Sequence, residues 1–274
     1  MKNGIITLAL LVFSVTCFSA SVDTISVYSA SMHKPIKCVV ITPEVYKTND
    51  NKFPVLYLLH GYSGNYADWV TKAPDLLKDV DEAGIIVVCP DGAYNSWYFD
   101  SPVDTSMKYE TNVAVEIPQY IDEHYRTITD KNARAITGLS MGGHGAMYLA
   151  IKHRNIFGAA GGMSGGVDIR PFAKNWEIAK WLGDYETNKD VWDKNVVINL
   201  VDSLHNKDLA IIFDCGVDDF FIQINRNLHQ KLLGKKIDHD YIERPGAHNW
   251  EYWNNSIKYQ LVFFTNFFRK NKMM

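Results

Sequence analysis

Gly138-Leu139-Ser140-Met141-Gly142 fits G-x-S-x-G, a pattern in which a sharp strand-to-helix turn holds a serine hydroxyl exposed. Serine is a weak nucleophile until a base takes its proton, and that base is commonly a histidine oriented by a carboxylate. His248, in Pro245-Gly246-Ala247-His248-Asn249-Trp250, stands in a loop before a helix-like stretch and can supply the base. His33, His124, His153, His205, His229 and His239 lie in polar surroundings and read as surface residues, while His144 sits one helical turn past Ser140. His60 is the other candidate, but it precedes the serine, and the order expected with this elbow is serine, acid, histidine. The acid falls in Gly216-Val217-Asp218-Asp219-Phe220, where either aspartate could fix the imidazole tautomer.

Attack by serine on a carbonyl builds negative charge on the carbonyl oxygen, so two N–H donors should face it. Gly-rich His60-Gly61-Tyr62-Ser63-Gly64 can aim the Tyr62 N–H there, and the residue after the nucleophile, Met141, supplies the second. Aromatic side chains near these loops are candidates for substrate walls. They include Tyr94 and Trp97 in Pro90–Tyr98, Trp176 in a strandless stretch with Phe172 and Trp181, and Trp250 beside His248. His60, flanking the oxyanion turn, is expected to join them. The stretch around Phe172, Trp176 and Trp181 is expected to form a cap.

These residues need a frame that brings them together. Val55–Leu59 is a continuous apolar run, as in a strand covered on both faces. Ile25–Tyr28, Lys37–Thr42, Ile85–Cys89, Arg134–Thr137, Phe157–Met163, Leu209–Cys215 and His239–Ile242 read as further strands. Helical patterns cover Asp75–Glu82, Asn112–Tyr125 (with Pro118 inside it), the residues after Ser140, Phe220–Leu233 and Trp250–Phe268. Such alternation predicts an α/β fold with a mainly parallel sheet and helices on both faces. The candidate residues then fall beyond the carboxyl ends of the strands, where open α/β sheets place their sites.

The chain has 274 residues with a net charge of −3, 22% charged and 47% hydrophobic, which gives no electrostatic case for nucleic acid or an anionic membrane surface. Lys2, the short apolar run Ile5–Phe13 and the small residues near Ala20 read as an export signal over residues 1–20. Cys17 offers a lipoprotein alternative. Residues 21–274 are expected to be one domain, periplasmic or secreted. Cys38, Cys89 and Cys215 have neither C-x-x-C nor zinc spacing and read as small core hydrophobes, so no metal site is expected.

Taken in order, Leu58-Leu59-His60-Gly61, Pro90-Asp91-Gly92 with Ser96-Trp97-Tyr98, Gly138-Leu139-Ser140-Met141-Gly142-Gly143, Cys215-Gly216-Val217-Asp218-Asp219-Phe220 and Gly246-Ala247-His248-Asn249-Trp250 resemble one family. It is the putative-esterase family of α/β-hydrolases, which includes esterase D-like S-formylglutathione hydrolases, feruloyl and acetylxylan esterases, and tributyrin esterases. The resemblance runs from about residue 23 to 268 and implies the α/β-hydrolase fold. It implies carboxylic-ester hydrolysis through an acyl-enzyme, with no metal or organic cofactor, and points to Asp219 as the acid. The implied partner is a small ester or an acylated carbohydrate, with short-chain or aromatic acyl groups. An acyltransferase on the same fold and an S-formylglutathione hydrolase-like thioesterase are the alternatives.

Overall fold

Val55–Leu59 (β3) shows how the frame is built. Val55, Tyr57 and Leu59 point into one apolar cluster and Leu56 and Leu58 into another, so the strand separates two cores. Ile86–Pro90 (β4) repeats the alternation, with Ile86 and Val88 on the first side and Val87 and Cys89 on the second. This two-sided burial is why both strands are uniformly apolar. The computed structural model describes residues 20–274. The expected export signal, apart from its last residue, and Cys17 lie outside the described residues.

Eight strands form one sheet in the order β1-β2-β4-β3-β5-β6-β7-β8. The remaining members are Ser21–Ser29 (β1), Lys34–Thr42 (β2), Arg134–Gly138 (β5), Ala159–Met163 (β6), Ala210–Gly216 (β7) and Asp240–Arg244 (β8). β1 and β2 form an antiparallel hairpin and β2 meets β4 antiparallel; every pairing from β4 to β8 is parallel. With helices on both faces, this is the α/β-hydrolase arrangement. One face carries the elbow helix Met141–Lys152, Ile117–His124 and Ile222–Gly234, and the other Leu76–Ala83 and the C-terminal helix Trp250–Lys270. Register places the site: Leu59 stands opposite Gly138, and Gly216 opposite Arg244. The loops bearing Tyr62, Ser140, Asp219 and His248 therefore leave the sheet along one edge.

Several boundaries differ from expectation. The strand expected over Ile85–Cys89 runs one residue further, with Pro90 its last paired residue, opposite Cys38, where its missing N–H costs only a terminal bond. The helix expected over Asn112–Tyr125 starts earlier, at Tyr109, and contains a π-helical turn at Asn112–Glu116. Pro118 follows one residue after that turn, and the wider ladder accommodates a residue that cannot donate to a carbonyl four residues back. A short helix at Asp68–Lys72 was not foreseen; its five residues are too few for apolar periodicity to register. Cys38, Cys89 and Cys215 are free thiols buried on β2, β4 and β7, as expected. Among the described residues, no helix is long and apolar enough to cross a membrane.

Candidate active site

The elbow is built by close packing around two glycines. A Cβ on Gly138 would meet the Gly142 carbonyl carbon and Leu59 Cβ at 2.7 Å, and one on Gly142 would meet Leu59 O at 2.6 Å. Ser140 turns the chain at φ 55°, ψ −115°, a backbone state few side chains tolerate. Its N–H donates to Met163 O at 2.9 Å, anchoring the strained residue to β6.

His248 Nε2 lies 2.8 Å from Ser140 Oγ, and His248 Nδ1 lies 2.8 Å from Asp219 Oδ2. A carboxylate can only accept, so Nδ1 carries the proton and Nε2 is left to receive one from the serine. Asp219 is buried, whereas Asp218 is exposed and uses its N–H to hold Gly246 O at 3.0 Å. The spacing that left both aspartates open is thereby resolved in favour of Asp219. The Val217 N–H donates to Arg244 O at 2.9 Å, a second tie between the acid loop and the segment leading to His248. Asn249 then caps the C-terminal helix, its side chain accepting the Tyr252 N–H at 3.0 Å. Phe220, Phe221 and Trp253 surround the imidazole with ring centroids 4.3, 5.4 and 5.0 Å away. This is the triad arrangement of a serine hydrolase.

On the other side of Ser140, the Ser63 N–H donates to Tyr94 O and the Gly64 N–H to Gly61 O, which shapes the turn. Among the described residues, neither the Tyr62 N–H nor the Met141 N–H donates to another backbone group. The Met141 side chain is buried, and its Sδ accepts the Trp97 N–H at 3.4 Å.

A cleft of about 390 Å³ opens over Ser140 and His248, with Tyr62, Trp176 and Trp250 in its walls; Trp97 touches it too but is only 1% exposed. Two expected wall residues are elsewhere. His60 is buried under the turn, with Nδ1 bonded to Gly61 O and Nε2 accepting the Gly92 N–H, both at 2.8 Å. With both nitrogens occupied, it braces the oxyanion turn against the aromatic loop, and burial lowers its pKa. Tyr94 points outward; its ring meets Tyr62 edge-on at 4.9 Å and it is absent from the cleft lining. The cap stretch folds into short helices, including Ile178–Leu182, and Trp181 Nε1 donates to Asn95 O at 2.6 Å, fastening it to the aromatic loop. Trp181 is buried beneath the cap, while Trp176 stacks on Phe220 at 5.7 Å and faces the cleft.

Phe220, Trp253, Asp68 and Lys72 also line the cleft and had not been singled out. Trp253 lies one helical turn from Trp250, a spacing that could have paired them. Asp68 and Lys72, bridged at 3.0 Å, come from the unforeseen short helix. His144 has no part in the cleft. It is buried against Trp97, Phe99 and Tyr148, with Nδ1 bonded to Gly166 O at 3.1 Å, and desolvation pushes its pKa down to about 3.

Comparison with known proteins agrees with this geometry. The family model described as "Putative esterase" matches residues 29–264. The chain belongs to that family. It is 30% identical over 217 residues to an acetyl esterase of Caldicellulosiruptor saccharolyticus, covering 74% of this chain and 79% of the relative. An S-formylglutathione hydrolase of Bos taurus is 25% identical over 242 residues, with 81% and 83% covered. Among solved structures, a ferulic acid esterase superposes with a TM-score of 0.79 at 29% identity, covering 92% of this chain and 99% of its own. The chain spans about half the length of two other curated relatives, esterases of Mycobacterium tuberculosis.

Proposed function

We propose that this protein is a carboxylesterase that hydrolyses short-chain or aromatic acyl esters, including acetyl and feruloyl groups carried on carbohydrate. The observation that carries the reading is the Ser140–His248–Asp219 relay opening into a cleft walled by tryptophans. Ser140 Oγ attacks the ester carbonyl as its proton passes to His248 Nε2, and Asp219 stabilises the imidazolium that forms. The Tyr62 and Met141 N–H groups receive the oxyanion; in a comparable protease the loss of one such donor costs roughly 3–4 kcal/mol. The imidazolium protonates the departing alcohol, leaving an acyl-Ser140. Water then loses a proton to Nε2 as it attacks, and Ser140 leaves with that proton, releasing the acid. Flat apolar walls at Trp176 and Trp250 suit an aromatic acyl group or a sugar face.

The supporting measurement is kcat/KM for 4-nitrophenyl acetate, methyl ferulate, acetylated xylan fragments, tributyrin and S-formylglutathione. Preference for one of the oxygen esters is expected. Clear preference for S-formylglutathione would assign the chain to the thioesterase branch, and transfer of acyl groups to an added sugar in preference to water would make it an acyltransferase.

Residues 1–20 would direct the mature domain, 21–274, out of the cytosol, where acylated polysaccharide fragments are met. Mass spectrometry of the exported protein should find an N-terminus near Ala20. An intact N-terminus in the cytosol, or a lipid on Cys17, would overturn that account.

A further inference from the structure

Beneath the triad, the three strands that lead to Ser140, Asp219 and His248 are joined by a line of polar side chains. Thr137 on β5 precedes the nucleophile by three residues, Asp214 on β7 precedes the acid by five, and Arg244 ends β8 four residues before the histidine. The Thr137 hydroxyl donates to Gln260 Oε1 on the C-terminal helix. Gln260 Nε2 donates to Asp214 Oδ2 at 2.8 Å and to Gly162 O on β6 at 3.1 Å. Asp214 Oδ1 accepts the Ser256 hydroxyl and, at 3.0 Å, an Arg244 Nη2 proton. Thr137, Asp214, Ser256 and Gln260 are each 0% exposed. Gly161 on β6 leaves the passage open: a Cβ there would meet Thr137 Oγ1 at 2.7 Å and also strike Gln260 Oε1.

A buried carboxylate is a costly way to hold three strands together, because apolar side chains of similar volume do so without the desolvation penalty. What directional hydrogen bonds add is position. Catalysis requires His248 Nε2 to stay within hydrogen-bond reach of Ser140 Oγ, and a misplacement of 1 Å can cost about a hundredfold in rate. We propose that Thr137, Gln260 and Asp214 are positioning residues. They fix β5 and β7 to the C-terminal helix, whose first turn follows His248, and so set the distance between nucleophile and base. The inference rests on the reading of Ser140, His248 and Asp219 as the catalytic triad.

The test compares Thr137→Val, which keeps shape and loses the hydroxyl, with Thr137→Ser, which keeps the hydroxyl, and adds Gln260→Leu. For 4-nitrophenyl acetate, Thr137→Val and Gln260→Leu should lower kcat about tenfold or more with KM changed less than about twofold, whereas Thr137→Ser stays near the parent. Inactivation by a serine-directed phosphonate should slow in parallel. The downfield proton resonance of the His248–Asp219 hydrogen bond should shift or broaden in the two slow variants. Unchanged kcat with a lowered Tm in Thr137→Val would make the network a stability device and overturn the proposal. If Gln260→Leu does not fold, the Thr137 pair still decides. A Ser140→Ala control separates the two readings: full activity there removes the triad itself, and the positioning claim falls with it.

Discussion

Asp219 Oδ1 accepts the backbone N–H of Phe221 at 2.8 Å, which leaves Oδ2 turned to His248 Nδ1 at the same distance. The backbone thus fixes the carboxylate plane before the imidazole meets it. Replacing Asp219 by Asn presents an amide that can favour the wrong imidazole tautomer. The equivalent change in a serine protease triad lowers kcat about 10⁴-fold. Asp219→Asn should therefore reduce kcat by orders of magnitude, and Asp218→Asn, at an exposed side chain, by less than about threefold. Steady-state kinetics on 4-nitrophenyl acetate decides, and a reversed ranking would move the acid to Asp218.

Ser140 is the second point of test. Its hydroxyl contacts His248 and its strained backbone is held by Met163 O, so Ser140→Ala removes the nucleophile and leaves the anchor in place. Ester hydrolysis should fall to background while circular dichroism and Tm stay near the parent values. A phosphonate should label Ser140 alone in the parent and nothing in the variant; label at any other serine would contradict the assignment.

Short local signals made much of this legible from sequence. β3 spans the residues expected because an unbroken apolar run of five admits little else between a proline and a glycine turn. The elbow, the acid loop and the histidine loop each carry their chemistry within a few residues. What sequence could not supply was side-chain direction and distant partners. Spacing left Asp218 and Asp219 equivalent, and burial together with the hydrogen bond to His248 separates them. His60 looked available beside its turn, but its second partner, the Gly92 N–H, lies 32 residues away. Tyr94 and Trp97 share one loop and alike invite a role in the cleft, yet Tyr94 points away from it and Trp97 is buried at its margin. The polar line from Thr137 to Arg244 joins residues that no local pattern relates.

Acid stability should carry the mark of His144. Its pKa in the folded chain is about 3 against an ordinary 6.5, because burial disfavours the charged ring. Between those pH values the unfolded chain binds a proton that the folded chain refuses. The stability linked to His144 is therefore complete above pH 6.5 and is lost as pH falls toward 3; the full span amounts to about 5 kcal/mol. His144→Phe leaves Gly166 O without its donor and should cost about 1–3 kcal/mol at pH 7. The same variant should lose stability less steeply between pH 6.5 and 4 in urea titrations. Equal steepness in both proteins would show that other groups set the acid limb.

Trp176 offers the sharpest separation between acyl groups. It faces the cleft from the cap, stacked on Phe220, which itself lies over His248, so its ring is placed to meet whatever group extends from the reacting carbonyl. An acetyl group is too small to reach far along such a wall, while a cinnamoyl ring can lie against it. Aromatic pairs contribute about 0.5–1.5 kcal/mol beyond the area they bury, and the buried area adds to that. Trp176→Ala should therefore lower kcat/KM for methyl ferulate by about tenfold or more, and for 4-nitrophenyl acetate by less than about threefold. The methyl leaving group makes ferulate informative, because nearly all of its aromatic surface is on the acyl side. With 4-nitrophenyl acetate the ring departs with the alcohol, so comparison of the two substrates also assigns the side of the ester that the cap contacts. A larger loss on 4-nitrophenyl acetate would place the leaving group, and not the acyl group, against Trp176. Equal small losses on both would remove Trp176 from the binding surface and leave Trp250 as the wall to vary next.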